Sequence, residues 1–489
     1  MKRKILYTTV FFLIFAGLFF FLNQILFEKQ HFGTAKNIPW EERDRVDVMF
    51  VGPSHIFYGI NPMVLWERSG IAAYNLTTHQ QPLWGSRILL DYALSLQKPK
   101  LVVLDVIMAT NFGRPVIGTD QGTNMTHLAL DPVPLSLQKI RNVLECDDIS
   151  EKGEILFPII LTHTRLQQGL LSYRDFRFAL SPQAHLMKGY NYTMNTLPYD
   201  RPQPEAVAGQ SFPLPEGTEP GLRDFIEYCK EKGLPLLLIK TPIVDNAEMY
   251  QQINRIGEIA AEYDVPFLDL NQHFEELEMD FQKDFADRGH LNALGAGKVS
   301  AYLADYLNEN YDLPDRRGVS GYESWEKSTA HYKNLTELPG LTELSDVLSR
   351  SEDPNILMMI TAGGASATES CLPDTVVDQL NALGLEKFPI CGNAAYAAVL
   401  NQGKHPLELL STKQNVDTDF LSEDVHFYLH ASKDAPDGEK RMANINIDSG
   451  GDILMEPGIL VVTFDRDTMQ KIDAVKFLVA DSFKASREF

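Results

Sequence analysis

The sequence predicts an α/β protein with a parallel sheet, preceded by one apolar N-terminal helix and followed by a mostly β region. Three observations support this prediction. Residues 5–27 form an uncharged apolar run, apolar strand patterns alternate with helical patterns between residues 46 and 307, and short strand patterns separated by turn residues follow residue 352. Strands that alternate with helices are typical of a parallel sheet, because parallel strands need long crossover connections.

The N-terminal run predicts a membrane anchor. It is long enough to cross a bilayer core of roughly 30 Å at about 1.5 Å per helical residue. The basic cluster of residues 2–4 precedes it, which predicts a cytoplasmic N-terminus and an extracytoplasmic body. A cleaved signal peptide is the alternative, but the run is long and lacks a small-x-small cleavage site, so we favour an uncleaved anchor over residues 1–27. Residues 28–45 are expected to be a connector.

The predicted α/β domain covers residues 46–313. Buried strands are predicted where apolar, β-branched residues run together, and helices where apolar residues recur every three to four positions. The predicted strands are residues 46–51, 71–76, 100–108, 234–239 and 265–270, and the predicted helices are 63–69, 85–96, 221–232, 248–263 and 293–307. Residues 111–210 are less regular and rich in aromatic and polar side chains, so they are expected to form an insertion or lid.

A linker is expected over residues 314–351, where periodicity fades and Pro and Gly recur. The remaining domain, residues 352–489, is predicted to be mostly β. Its expected strands are residues 355–360, 394–400, 443–447 and 458–464, with a helix at 372–383.

Composition narrows the possible functions. The formal net charge of -22 argues against nucleic-acid binding, which needs basic surfaces. Four cysteines are too few for a disulfide scaffold; Cys371 and Cys391 could pair outside the cell, or both could be free thiols. No metal-ligand spacing such as CxxC or HExxH occurs, so neither a metal nor a cofactor is expected.

Three residues carry the candidate chemistry. Ser54 follows the first predicted strand after a Gly-Pro break, at the kind of strand end where open α/β sheets bind ligands. Asp287 and His290 lie three residues apart on a polar loop before the last predicted helix of the domain. In acyl transfer a serine attacks, a histidine takes its proton and a carboxylate fixes the histidine tautomer. Each residue alone is more often structural, but their combination in one domain favours a triad.

Residues 46–310 resemble the SGNH/GDSL hydrolase superfamily, through the serine motif of residues 51–62 and the Asp-x-x-His motif that ends at His290. The serine motif, residues 81–84, 98–105 and 290–296 are similar to a membrane-anchored, extracytoplasmic branch related to the teichoic-acid D-alanyl transfer protein and to alginate O-acetylation proteins. The resemblance implies a flavodoxin-like sheet, with Ser54 as nucleophile, His290 as general base and acid, and Asp287 as the orienting carboxylate.

The chain departs from that superfamily at the oxyanion hole. The family uses a glycine after the second strand and an asparagine after the third, and neither motif occurs here. Gln80, Gln81 and Asn111 are the candidate replacements. His55 is a candidate substrate contact, with packing the more common role for such a residue. The His163-x-Arg165 element resembles one seen in this branch and could bind an anionic or polyol group, with structural ion pairing as the alternative.

The C-terminal region, about 352–482, is similar to the interleukin-like EMT inducer domain through residues 380–385, 394–399, 458–465 and 471–477. The resemblance implies a possible glycan-binding role, but no binding residues. The expected function is therefore a membrane-anchored acyl esterase or O-acyltransferase acting on a cell-envelope glycan. A membrane-bound O-acyltransferase is the expected acyl donor if the reaction is transfer. The alternative is a non-catalytic surface protein that binds a glycan or a partner.

Overall fold

The structure is a computed structural model of the 489-residue chain. It describes residues 2–27, 33–171, 173–363, 374–388, 395–400, 406–411, 416–422, 425–432, 442–447, 450–454, 458–466, 468, 470–478 and 484–487. The chain divides into two compact units, Met1–Thr329 and Ala330–Phe489.

The α-helices are α1 (Lys2–Leu26), α2 (Ser54–Gly59), α3 (Pro62–Ser69), α4 (Leu83–Leu94), α5 (Asp120–Leu130), α6 (Leu137–Glu145), α7 (Lys152–Leu156), α8 (Ile159–Thr162), α9 (Thr164–Gln168), α10 (Tyr173–Leu180), α11 (Thr218–Glu231), α12 (Ala247–Glu262), α13 (Ala293–Asn310), α14 (Glu323–Glu337), α15 (Leu344–Ser349) and α16 (Asp374–Ala382). The strands are β1 (Val48–Gly52), β2 (Ala73–Thr77), β3 (Leu101–Asp105), β4 (Leu236–Lys240), β5 (Phe267–Asp269), β6 (Ile356–Gly363), β7 (Ala395–Leu400), β8 (Leu407–Ser411), β9 (Val416–Ser422), β10 (Val425–Ser432), β11 (Met442–Ile447), β12 (Gly450–Leu454), β13 (Gly458–Asp465), β14 (Lys471–Leu478) and β15 (Ala485–Ser486).

The first unit contains the predicted parallel sheet. Its five strands lie in the order β2-β1-β3-β4-β5, and every neighbouring pair is parallel. This is the flavodoxin-like order, in which the chain reverses its direction of winding beside β1. The α/β prediction is confirmed. The carboxyl ends of β1 and β3 therefore lie side by side at the position where such folds bind ligands.

Burial explains why the strand sequences are so uniformly apolar. Every residue of β1, β3 and β4 is buried, since helices cover the sheet. Val102 and Leu104 of β3 belong to one core together with Ile88 of α4 and Ile253 of α12. A strand buried on both faces needs a continuous apolar run rather than alternation, which is the pattern that predicted it.

The N-terminal helix α1 fits the predicted span. Residues Arg3–Leu26 form a helix long and apolar enough to cross a membrane, and none of its most apolar window is buried within the protein. Such a helix is compatible with single-pass anchoring. The end of the segment differs from the rest, because Ile25 and Leu26 of α1 and the following Phe27 are buried against the remainder of the first unit.

The insertion and the linker have more regular structure than the sequence suggested. Residues 111–210 contain helices α5 to α10. The stretch expected to be a linker, residues 314–351, contains α14 and α15, and the boundary between the two compact units falls within α14. Trp325 of α14 is fully buried, stacks on Trp66 at 6.1 Å between ring centroids, and donates from its indole nitrogen to the Ala73 carbonyl at 3.0 Å.

The second unit is mostly β, as predicted. One sheet has the order β12-β11-β10-β9 and the other β15-β14-β13-β6-β7-β8, and their pairs are antiparallel. The sequence prediction missed β8, β9, β10, β12, β14 and β15, whose patterns are more polar or shorter. The proposed Cys371–Cys391 pair lies outside the described residues. Cys146 and Cys229, in the first unit, are buried free thiols.

Candidate active site

Ser54 lies where the first strand turns sharply into a helix. β1 ends at Gly52, and Ser54 is the first residue of α2 and almost fully buried. Gly52 has φ of +154°, and a Cβ there would lie 2.9 Å from the Ile56 side chain. Only glycine makes this turn without strain or a clash. The turn directs Ser54 to the carboxyl edge of the sheet.

The acid and the imidazole come from one tight loop before α13. Phe285 and Leu291 form an isolated bridge at its base, and the Ala286 amide donates to the His290 carbonyl at 2.9 Å. Asn292 then caps α13 by accepting from the Leu294 amide at 3.0 Å. Because the loop is tied at both ends, the side chains of residues 287 and 290 are held in a fixed relation to the helix.

The structure brings the three candidate residues together. His290 Nε2 lies 2.6 Å from Ser54 Oγ, and His290 Nδ1 lies 2.8 Å from Asp287 Oδ2. Asp287 Oδ1 also accepts from the backbone amides of Gly289 at 2.8 Å and His290 at 2.9 Å. An ionised carboxylate only accepts, so Nδ1 carries the proton and Nε2 is left to accept from the serine hydroxyl. This is the geometry of a nucleophile, a base and an orienting acid.

The surroundings keep Asp287 ionised. Burial alone favours its neutral form, but the hydrogen bond and charge of His290, together with the backbone amides, lower the pKa of Asp287 overall. Tyr58 packs edge-on to His290 at 5.3 Å between ring centroids. Burial and then the Asp287 charge raise the pKa of Tyr58, so this phenol stays protonated beside the base.

A buried polar network lies under the serine. Lys240, the last residue of β4, is fully buried and donates from Nζ to the Thr241 carbonyl at 2.8 Å. Its Nζ is 3.6 Å from Asp105 Oδ2. Asp105 ends β3 and also accepts from the Thr241 amide at 3.1 Å and the Ile107 amide at 2.9 Å. Asp105 is thus a satisfied polar residue at a strand end.

His55 joins this network to the triad. Its Nδ1 lies 3.3 Å from Lys240 Nζ, and its ring is 5.2 Å from that of His290 and 5.2 Å from that of Phe112. A lysine ammonium can only donate, so Nδ1 accepts and Nε2 carries the hydrogen. Burial first, then the charges of Lys240 and His290, hold the pKa of His55 well below its usual value. His55 is a neutral, packed side chain under the site, and its buried Nε2 has no hydrogen-bond partner.

The oxyanion candidates differ in where their polar groups point. The Ser54 amide is the first of its helix and has no carbonyl partner within it. Gln80, just after β2, has a left-handed φ of +44°, and its side chain accepts from Gln121. Gln81 is buried and donates to Ser86 Oγ at 2.9 Å. Asn111 donates from its amide and from its side chain to residues of α12. These bonds direct its side chain to that helix and not to the triad.

His163 and Arg165 are not brought to the serine. Arg165 donates from Nη1 to the carbonyls of Leu26 at 2.7 Å and Phe27 at 3.0 Å, and from Nη2 to Asp175 Oδ2 at 2.8 Å. His163 is exposed, and its Nδ1 lies 3.2 Å from the Ile159 carbonyl. Of the two roles considered for this element, the contacts of Arg165 correspond to structural ion pairing. Arg165 caps the end of α1.

Among the described residues, one group comes close enough to share a cation. Ligand atoms of His127, Glu151 and Glu154 lie within 4.8 Å of one another. His127 Nδ1 is 2.9 Å from Asp131 Oδ1, and its Nε2 has no hydrogen-bond partner. His127 belongs to α5, Glu151 directly precedes α7 and Glu154 lies within it, so this group is in the insertion and not in the loops that carry the triad.

Lys240 is the site residue that sequence reasoning missed. Its signal was present, since a lysine directly follows the apolar strand pattern 234–239 and strand ends at this edge of a sheet carry function.

In comparisons with known proteins, no family model matches this chain and no curated protein shows significant similarity to it. The functional argument therefore rests on the geometry of the site.

Proposed function

We propose that this chain is a membrane-anchored, extracytoplasmic SGNH-type acyl esterase or O-acyltransferase that acts on a cell-envelope glycan. The observation that carries the proposal is the hydrogen-bonded series from Ser54 Oγ through His290 to Asp287, at 2.6 Å and 2.8 Å. It stands at the carboxyl edge of a parallel sheet with flavodoxin-like strand order.

The reaction would proceed through an acyl-enzyme. Ser54 Oγ attacks the acyl carbonyl while His290 Nε2 takes the hydroxyl proton, and Asp287 stabilises the imidazolium that forms. Collapse of the tetrahedral intermediate breaks the ester bond, and His290 returns the proton to the leaving alcohol. A water or a sugar hydroxyl then attacks the acyl-enzyme, with His290 again as base. Water gives hydrolysis, and a sugar hydroxyl gives transfer to the glycan.

The oxyanion would be held by backbone donors. The Ser54 amide is free of a helical partner, and the left-handed turn at Gln80 follows the neighbouring strand β2. Loss of one oxyanion donor typically slows acyl transfer by about 10²–10³. A site with a weakened oxyanion hole suits an activated donor, such as the acyl-carrying membrane-bound O-acyltransferase expected as partner, better than an ordinary ester.

The basic residues 2–4 and the apolar helix α1 support the location, with the N-terminus in the cytoplasm and the body outside. The mostly β second unit supports a glycan-binding role beside the catalytic one, since its sequence resembles the interleukin-like EMT inducer domain.

The second candidate is a non-catalytic surface protein that binds a glycan or a partner through a degenerate hydrolase fold. It is favoured because two oxyanion candidates use their side chains elsewhere. Asn111 donates to Glu248 of α12, and Gln81 donates to Ser86. The intact hydrogen bonds of the triad oppose it.

A fluorophosphonate probe separates the two. The full-length wild type and the variants Ser54→Ala and His290→Ala are purified in detergent and treated with the probe. Ser95→Ala and His163→Gln, at an exposed serine and an exposed histidine, are the controls. Catalysis predicts labelling in the wild type and both controls, and loss in the two triad variants. A folded wild type that resists labelling, or equal labelling of Ser54→Ala, would favour the binding protein.

A further inference from the structure

The end of helix α1 is held by three short helices of the insertion. Arg165 of α9 donates to the last two carbonyls of the N-terminal segment, Leu26 and Phe27, and is itself held by Asp175 of α10. Asp175 is buried. A cation at a helix C-terminus satisfies carbonyls that lack a partner and complements the helix dipole. The insertion is therefore fixed to the point where the apolar helix ends.

Further contacts repeat this attachment along the last turns of α1. Asn23 Oδ1 accepts from the Ile159 amide of α8 at 3.2 Å. The Phe19 ring lies 6.1 Å from that of Phe157, and the Phe27 ring 5.7 Å from that of Phe178 in α10. From residue 19 to residue 27 a helix rises about 12 Å. The insertion thus packs against one side of the final turns of α1, where Phe20 and Phe21 remain exposed, and the preceding turns are largely exposed.

The same three helices, and the segment between α9 and α10, expose large apolar side chains. Six of them within a stretch of 21 residues are exposed, an unusual concentration for a surface. They are Ile160 at 47%, Leu161 at 43%, Leu166 at 51%, Leu170 at 55%, Phe176 at 41% and Leu180 at 71%. Burying one such side chain is worth about 1.5–3 kcal/mol, so concentrated exposed apolar surface indicates a binding face. We call the described residues 159–171 and 173–180 the collar.

The position of the collar identifies what covers it. Helix α1 has 25 residues, which at about 1.5 Å each reach about 37 Å, more than a hydrocarbon core of roughly 30 Å. The surplus of about 7 Å brings the last turns of α1 to the level of the lipid headgroups. Because the collar packs on those turns, its apolar side chains would stand where headgroups meet acyl chains when α1 crosses a membrane. Amphipathic helices with exposed Leu, Ile and Phe bind at this depth.

We propose that the collar lies in the headgroup–acyl boundary of the membrane that α1 crosses and binds lipid directly. The proposal rests on the membrane anchoring in the proposed function, but not on the chemistry of Ser54. It gives the protein a fixed orientation on the bilayer, where a single helix would leave the domain free to swing.

The collar also fixes where the serine works. Thr34 lies seven positions after Phe27 in the sequence, a span of at most about 25 Å. Thr34 Oγ1 donates to the Asn75 carbonyl of β2 at 2.9 Å, and the Asn75 side chain donates to the Ile60 carbonyl, directly after α2, at 2.8 Å. The connector therefore enters the domain beside the helix that begins with Ser54. Under the proposed function, the substrates would be acyl donors and acceptors close to the membrane surface.

Quenching of tryptophan by brominated lipid tests the proposal. The full chain is reconstituted in vesicles of phosphatidylglycerol and phosphatidylethanolamine, with acyl chains brominated at carbons 6 and 7. Leu166→Trp and Leu180→Trp report on the collar, and the signal of the four native tryptophans is subtracted. Val319→Trp is the matched control, because Val319 is 43% exposed and its amide donates to the Arg316 carbonyl. Arg316 pairs with Asp47, directly before β1, at the end of that strand away from Ser54.

Lipid binding predicts quenching at both collar positions at least about threefold stronger than at Val319→Trp. Two exposed positions guard against one variant misfolding, and circular dichroism checks each. Quenching no stronger than in Val319→Trp would overturn the proposal. The same result is expected if the collar binds a membrane protein rather than lipid. Repeating the assay with Ser54→Ala separates lipid binding by the collar from catalysis at Ser54. Unchanged quenching in this variant supports lipid binding, whatever the fluorophosphonate labelling shows.

Discussion

A buried histidine in the second unit should make its stability fall between neutral and alkaline pH. His331 of α14 is buried, and its Nδ1 donates to Asp353 Oδ2 at 2.7 Å. Its Nε2 lies 3.6 Å from Asp465 Oδ1, at the end of β13. Burial by itself lowers the pKa of His331, but the two carboxylates outweigh burial and raise the pKa to about 9.

The size of the effect follows from this shift. A histidine in the unfolded chain has a pKa of about 6.5, and each unit of difference is worth about 1.36 kcal/mol, so the charged His331 contributes up to about 3 kcal/mol. Because the folded pKa is the higher one, this stability is fully present below pH 6.5. It is lost as pH rises from 6.5 to about 9. For a unit of this size the loss corresponds to roughly 6–12 °C in melting temperature.

The assay is thermal unfolding of the full chain in detergent at pH 6, 7.5 and 9, followed by near-ultraviolet circular dichroism. His331→Gln should lose most of the pH dependence of the second-unit transition, and Asp353→Asn should reduce it. His163→Gln, at an exposed histidine, serves as the control. A wild-type transition that is flat from pH 6 to 9, or a slope unchanged in His331→Gln, would refute the reasoning.

Three further predictions concern the first unit. Asp287→Asn should leave His290 in the wrong tautomer and slow fluorophosphonate labelling by about 10⁴, with the melting temperature unchanged. Gly52→Ala should cost about 1–3 kcal/mol in denaturant unfolding, because φ of +154° is strained for alanine and its Cβ would crowd α2; a neutral effect would argue against the turn described. Lys240→Met should destabilise by about 3–5 kcal/mol by leaving Asp105 buried without its cation, and Lys240→Met/Asp105→Asn should recover part of that loss.

The fold of the first unit was largely predictable because burial dictates its sequence. β1, β3 and β4 must be apolar on both faces, and the helices between them bury only one side, so the two periodicities differ. The second unit was harder to predict. Its antiparallel strands, such as β14 with alternating burial, need only one apolar face, and their short polar-rich patterns resemble turns.

The candidate site was predictable where chemistry demands particular residue types. A serine at a strand end and an Asp-x-x-His loop suffice to suggest the triad, and their hydrogen-bonded distances agree with that expectation. Roles that depend on direction were not predictable. Arg165 has donors that suit a substrate anion or a helix end equally well, and only the fold shows that it contacts Leu26 and Phe27.

The neighbourhood of Ser54 contains costs that a purely structural scaffold has no reason to keep. Gly52 holds a backbone conformation that other residues disfavour. His55 leaves a buried Nε2 hydrogen without a partner, and Lys240 is fully buried with its nearest carboxylate at 3.6 Å. Strain and unsatisfied polar groups concentrate at functional sites, because elsewhere substitution readily removes them. All three features lie near the serine, although buried polar atoms without a partner also occur elsewhere, as at Asn75 Oδ1 and Thr77 Oγ1 in β2. Their proximity to the serine favours catalysis over a binding protein that merely inherited the fold.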